Sequence, residues 1–119
     1  MKILTKVSVA IVLLAVLIVG GLMVTIDVLH AKSRRQMTQL VSEIRPGMSF
    51  HSVTSRLGPE SQTLTNAVEI ESYGTTTDPS VVTNSVLHLF VHRAFIFYRI
   101  CVYTDRDSQN VIYASWKDM

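Results

Sequence analysis

Hydrophobic residues along this chain fall into three successive patterns: an unbroken run, a helical repeat and a set of short alternating segments. Residues 7–26 (VSVAIVLLAVLIVGGLMVTI) carry no charged side chain. At about 1.5 Å rise per residue, a helix of that length matches a hydrocarbon layer of roughly 30 Å. The run therefore predicts a single transmembrane helix, preceded by a short basic start over residues 1–6 with Lys2 and Lys6. A cleaved secretory signal also opens on basic residues, but its apolar region is about 7–15 residues long and ends at a small-residue site. Here Leu29-His30-Ala31 puts a bulky residue where a small one is needed, so the run reads as a retained anchor. Gly20 and Gly21 permit close helix packing, but there is no G-x-x-x-G to specify a transmembrane dimer.

Residues 27–45 predict a juxtamembrane amphipathic helix. Met37, Leu40, Val41 and Ile44 recur at i, i+3, i+4 and i+7, with Arg34, Arg35, Gln36, Gln39 and Glu43 between them. Nothing between Asp27 and Ser33 breaks a helix, so the membrane helix can continue into this one. Pro46 disfavours the helical conformation at Arg45 and Gly47 offers an easy turn, which stops the helix near Ile44. Ser49 is the expected N-cap of a second, two-turn helix over residues 50–57 that stacks Val53 on Leu57, with Met48 near the same face. Gly58 suits the left-handed position after the last turn and Pro59 prevents continuation. The two helices form a helical hairpin.

The remaining chain alternates with a period of two. Strands are expected over residues 67–73 (AVEIESY), 86–91, 95–104 and 110–116, with a polar loop over 74–85 that contains Pro79. Short connections predict an antiparallel sheet of about four strands with the helical hairpin on one face. The expected fold is a small two-layer α+β domain of roughly residues 33–119, in which residues 46–119 supply the second helix and the sheet.

The run Gly47, Met48, Ser49, three residues, Val53, three residues, Leu57, Gly58 resembles the G-M-[ST]-x3-V-x3-L-G signature of the SmpA/OmlA family. In that family the signature covers the turn and second helix of a helical hairpin, and an antiparallel sheet follows. Late in the chain, VYTDRDSQNVIYASW is similar to the family's closing hairpin, so the resemblance spans about residues 37–116. Family lipoproteins carry lipid on a cysteine at the end of the signal; here a transmembrane helix stands in that place. Pro59 is adjacent to the helix glycine where the family often has it two positions on, and the acidic turn lacks the usual glycine. The resemblance implies the fold and a role as an envelope-facing accessory domain; it assigns no partner-binding residue.

Net charge is only +2, and outside Lys32, Arg34 and Arg35 the basic residues do not gather on one element. Those three adjoin the membrane run, where contact with anionic headgroups accounts for them, and no nucleic-acid partner is expected. Because they balance Lys2 and Lys6, the basic residues do not choose an orientation. Cys101 is the only cysteine, forms no intrachain disulfide, and reads as a small buried hydrophobe. His88 and His92 are four apart, but on a strand that separates them by about 13 Å, too far for one metal ion, and they read as solvent-facing. Asp105-x-Asp107-x-Gln109 opens like a calcium loop, yet Asn110 and Trp116 stand where glycine and a bidentate glutamate are required, so it reads as a polar hairpin turn. There is no G-x-S-x-G, no glycine-rich phosphate loop and no Cys-x-x-Cys. No cofactor, metal or catalytic residue is expected.

Over residues 95–103 one face carries Ile96, Tyr98, Ile100 and Val102, and the other Phe95, Phe97, Arg99, Cys101 and Tyr103. If the aliphatic set packs on the helices, the second set, extended by Phe90 and Tyr113, presents aromatics and an arginine outward, a composition found in interface cores. Period-two patterning leaves open whether that face is covered by the long loop or by a second copy. The functional expectation is a membrane-anchored, non-catalytic protein-binding domain of the bacterial inner membrane. Its domain would lie outside the cytoplasm, with the bilayer and another envelope protein or itself as partners. The second reading is a cytoplasm-facing regulatory or sensor module that binds a ligand or partner.

Overall fold

A computed structural model describes residues 2–119 and divides into two compact units, one ending at Lys32 and one of Ser33–Met119. A single α-helix, α1 (Lys2–Ser42), supplies the first unit and the opening of the second. In the first unit the apolar side chains are exposed all round the helix, and none of its most apolar window is buried in protein. A helix hydrophobic on every side is stable when an apolar medium surrounds it, so this segment is a candidate for a single membrane span.

The second unit is α+β. After α1 come α2 (Phe50–Leu57), β1 (Gln62–Leu64), α3 (Ala67–Tyr73), α4 (Pro79–Asn84), β2 (Ser85–Arg93), β3 (Phe97–Asp105) and β4 (Val111–Asp118). The four strands form one antiparallel sheet in the order β1-β2-β3-β4. The stop signals after α1 act as the sequence suggests. Gly47 has φ +91° and donates its N–H to the Val111 carbonyl, and Ser49 accepts the Ser52 N–H as N-cap of α2. Met37 and Ile44 from the first segment and Val53 from α2 meet Phe90, Tyr98, Ile100, Val102 and Val111 in one buried cluster.

Gly58 donates to the Thr54 carbonyl, but its backbone (φ +82°, ψ −165°) lies outside the left-handed helical region expected for it. That combination is essentially restricted to glycine, and open space surrounds the position, so any cost of substitution is purely backbone strain. Gly58→Val is expected to destabilise the second unit by about 2 kcal/mol. Trp116, the only tryptophan, sits in this unit, and its fluorescence during urea unfolding of the full chain in detergent checks the value.

Three expectations are corrected. Residues 67–73 are helical. Asn66 caps α3 by accepting the Val68 N–H, Glu69 sits favourably in the first turn, and the chain buries Ile70 completely while leaving Val68 75% exposed. A strand would have put those two side chains on one face. The outer strand is instead β1, and the polar loop over 74–85 contains α4, whose first residue Pro79 follows the N-cap Asp78. The sheet is consequently covered on both sides. Ile70 and Val82 from α3 and α4 pack with Leu64, Leu87, Leu89, Cys101 and Tyr103 in a second cluster, giving three layers where two were expected.

Candidate functional site

Both faces of the sheet are used for packing, which sorts the expected interaction face into buried and open parts. Phe90 does not belong to it: paired with Ile100, it points into the cluster beneath α1 and α2. Tyr103 is fully buried under α3, and its hydroxyl accepts the N–H groups of Thr75 (2.8 Å) and Thr76 (3.3 Å). Cys101 lies beside it, directed toward the Tyr73 carbonyl; burial pushes its thiol pKa up, while Lys117 and Arg99 pull it down. Arg99 is half-buried, 5.8 Å over the Tyr73 ring, and Lys117 donates to the Gly74 carbonyl. Phe95, Phe97 and Tyr113 remain exposed. Cover of the central part of this face therefore comes from the same chain.

Of the residues that carried the family signature, Val53 is buried, Met48 and Leu57 are packed at the edge of the first cluster, and Gly47, Ser49, Gly58 and Pro59 are turn and cap positions. All serve packing or backbone geometry. Lys32, Arg34 and Arg35 are exposed, Arg34 lying 3.9 Å from Asp118.

His88 is buried, contrary to the solvent-facing expectation, whereas His92 is exposed. The His88 ring stacks on Phe50 with centroids 3.9 Å apart. Its Nδ1 is bonded to the Glu60 carboxylate and its Nε2 lies 3.0 Å from the Thr104 hydroxyl. A carboxylate accepts, so Nδ1 carries the proton toward Glu60, and Nε2 and the Thr104 hydroxyl share the second hydrogen bond. Carboxylate, imidazole and hydroxyl thus stand in the order of a hydrolytic triad. Thr104 is only 1% exposed, however, so its hydroxyl is closed off from the surface. The chain of bonds ties the start of β1 to β2 and β3. Among the described residues no group of three or more metal-ligating side chains converges. Asp105 accepts from the Ser108 hydroxyl and Gln109 takes φ +60°, so this turn adopts without glycine the left-handed residue that a glycine often supplies.

An apolar concave surface borders β4. This strand has one neighbour, β3, and its far side is bridged only at its start, where Ser49 pairs with Asn110 and Met48 accepts the Val111 N–H. Beyond that point a groove of about 440 Å³ runs between the end of α1 and the strand, floored by Val41, Ile44, Pro46, Tyr113 and Trp116. An open strand edge beside an apolar trough offers backbone hydrogen bonds and side-chain pockets together. Sequence alternation gave no sign of this groove, because it depends on the end of α1 lying beside β4. Comparison with family models, with curated proteins and with solved structures finds no match.

Proposed function

We propose that this chain is a membrane-anchored, non-catalytic protein-binding domain of the bacterial cell envelope. Its apolar helix would be the single inner-membrane anchor, and its α+β unit would lie outside the cytoplasm as an assembly accessory. The observation that carries the binding half is the apolar groove beside the unpaired length of β4, which suits an extended segment of another envelope protein. The unburied apolar helix supports the anchoring half. The envelope placement draws on the resemblance of residues 47–58 to the SmpA/OmlA signature. In this reading the last turns of α1 and α2 form that family's helical hairpin. It is supported by their shared cluster and by the Glu43–Arg56 ion pair at 3.4 Å.

Thiol labelling in intact cells, with any outer membrane permeabilised, tests both halves. In a Cys101→Ser background, Asp107→Cys is expected to react with a membrane-impermeant reagent before inner-membrane lysis. Thr38→Cys, exposed on the rim of the groove, is expected to be protected in cells and reactive in the purified protein. Labelling at residue 107 only after lysis overturns the envelope placement in favour of the cytoplasm-facing module. Equal reactivity of residue 38 in cells and in the purified protein overturns an occupied groove.

A further inference from the structure

The β2–β3 connection gathers a second exposed surface, separate from the groove. The Phe95 N–H donates to Ser33 Oγ at 3.1 Å, and Arg34 approaches Asp118 at 3.9 Å. The hairpin tip, the end of β4 and the first residues of the α+β unit therefore meet at one end of that unit. There Val91, Phe95, Phe97 and Met119 are between 39% and 62% exposed. Val91, Ile96, Phe97 and Met119 line an open apolar hollow. Beside them stand Arg34, exposed and near Asp118, and Arg93, whose guanidinium lies 5.7 Å over the Phe97 ring. Asp118 is the acidic side chain that faces this group.

We infer that this tip is a second membrane contact, seating Phe95, Phe97, Val91 and Met119 among the headgroups of an anionic phospholipid surface; the inference rests on the anchor reading above. Three observations choose lipid over protein. First, Ser33 follows the last residue of the uncharged run, Ile26, by seven residues. Whatever course the connection takes, its extended reach is about 25 Å, so the tip is tethered at high local concentration to the bilayer that holds the anchor. Second, the patch is flanked by Arg34 and Arg93, and anionic lipid attracts basic residues near the surface by about 1 kcal/mol each. Third, the patch is too small for a stable protein interface. Four half-exposed apolar side chains offer roughly 400 Å², about half of what each partner contributes to a standard interface. Insertion into headgroups has no such threshold, because each apolar side chain partitions by itself.

The test uses the full chain in phosphatidylethanolamine–phosphatidylglycerol vesicles, with an environment-sensitive fluorophore on single cysteines in the Cys101→Ser background. His92→Cys reports the tip, Asp107→Cys the far β3–β4 turn and Val16→Cys the anchor, while Trp116 fluorescence confirms that each variant is folded. Lipid carrying a nitroxide in the headgroup region is expected to quench the probe at 92 and leave the probe at 107 unchanged. Adding Phe97→Ser to the 92 reporter is expected to relieve that quenching. Should Phe97→Ser fail to fold, Val91→Ser takes its place with the same expected relief. An unquenched probe at 92, with the probe at 16 quenched by deep nitroxide lipid, overturns the tip contact and leaves the anchor standing. A probe at 92 shielded from aqueous iodide but untouched by nitroxide lipid means that protein covers the tip, and also overturns it. An unquenched probe at 16 overturns the anchor reading, and the tip contact with it.

Discussion

Gly74→Ala is expected to be among the most damaging single-methyl changes in the α+β unit, costing about 3 kcal/mol. A Cβ on Gly74 would overlap the Tyr103 hydroxyl oxygen and stand 2.6 Å from the Ile70 carbonyl oxygen. Neither neighbour yields cheaply. The carbonyl belongs to α3 and accepts the Gly74 N–H at 2.8 Å, and Tyr103 is completely buried with its hydroxyl holding the N–H groups of Thr75 and Thr76. Pushing the ring aside sacrifices those bonds and disturbs the cluster that closes the second face of the sheet. For a domain of this size the loss corresponds to a drop of about 15 °C in melting midpoint. Tyr103→Phe alone is expected to cost about 1–2 kcal/mol, since it orphans the Thr75 N–H. Because it also removes the nearest obstacle, Gly74→Ala should cost about 1 kcal/mol less in the Tyr103→Phe background than in the native one. Urea unfolding of the four proteins, read from Trp116 in detergent, measures the cycle. Equal costs in both backgrounds would show that the hydroxyl contact is not the source.

Much of the fold follows from local signals, and the exceptions have physical reasons. The Pro46-Gly47 stop and the Ser49 and Gly58 caps each act through a few neighbouring residues, so the end of α1 and both ends of α2 follow from their own chemistry. AVEIESY alternates and reads as a strand, but the Asn66 cap together with burial of Ile70 in the cluster with Val82 makes it a helix. Burial is a tertiary fact that seven residues do not contain. β2 illustrates the same limit. Its run from Ser85 to Phe90 is buried on both faces, and in such a strand alternation no longer marks which side meets water. Phe90 was consequently placed on the wrong face and His88 in solvent. The groove beside β4 and the hairpin tip arise from strand order and from the Phe95–Ser33 hydrogen bond, both long-range.

His88 gives the second large effect, and two substitutions separate its roles. His88→Phe keeps an aromatic ring against Phe50 but removes both ring nitrogens, leaving the buried Thr104 hydroxyl without its partner while Glu60, 28% exposed, can turn to water. The expected cost is about 1–3 kcal/mol, set mainly by the orphaned hydroxyl. His88→Ala removes the ring as well and opens a cavity between Phe50 and the sheet, raising the cost to about 3–5 kcal/mol. Thr104→Val should be tolerated better in the His88→Phe background than alone, because an apolar pair of similar shape leaves no polar group unsatisfied. The readout is again urea unfolding followed by Trp116. Should Phe and Ala at position 88 prove equally costly, the stack on Phe50 contributes nothing and the polar chain carries the whole contribution of this side chain, beside the β1–β2 backbone ladder. Should His88→Phe be neutral, the bonds to Glu60 and Thr104 are dispensable, and the ring acts only as filler beneath α2.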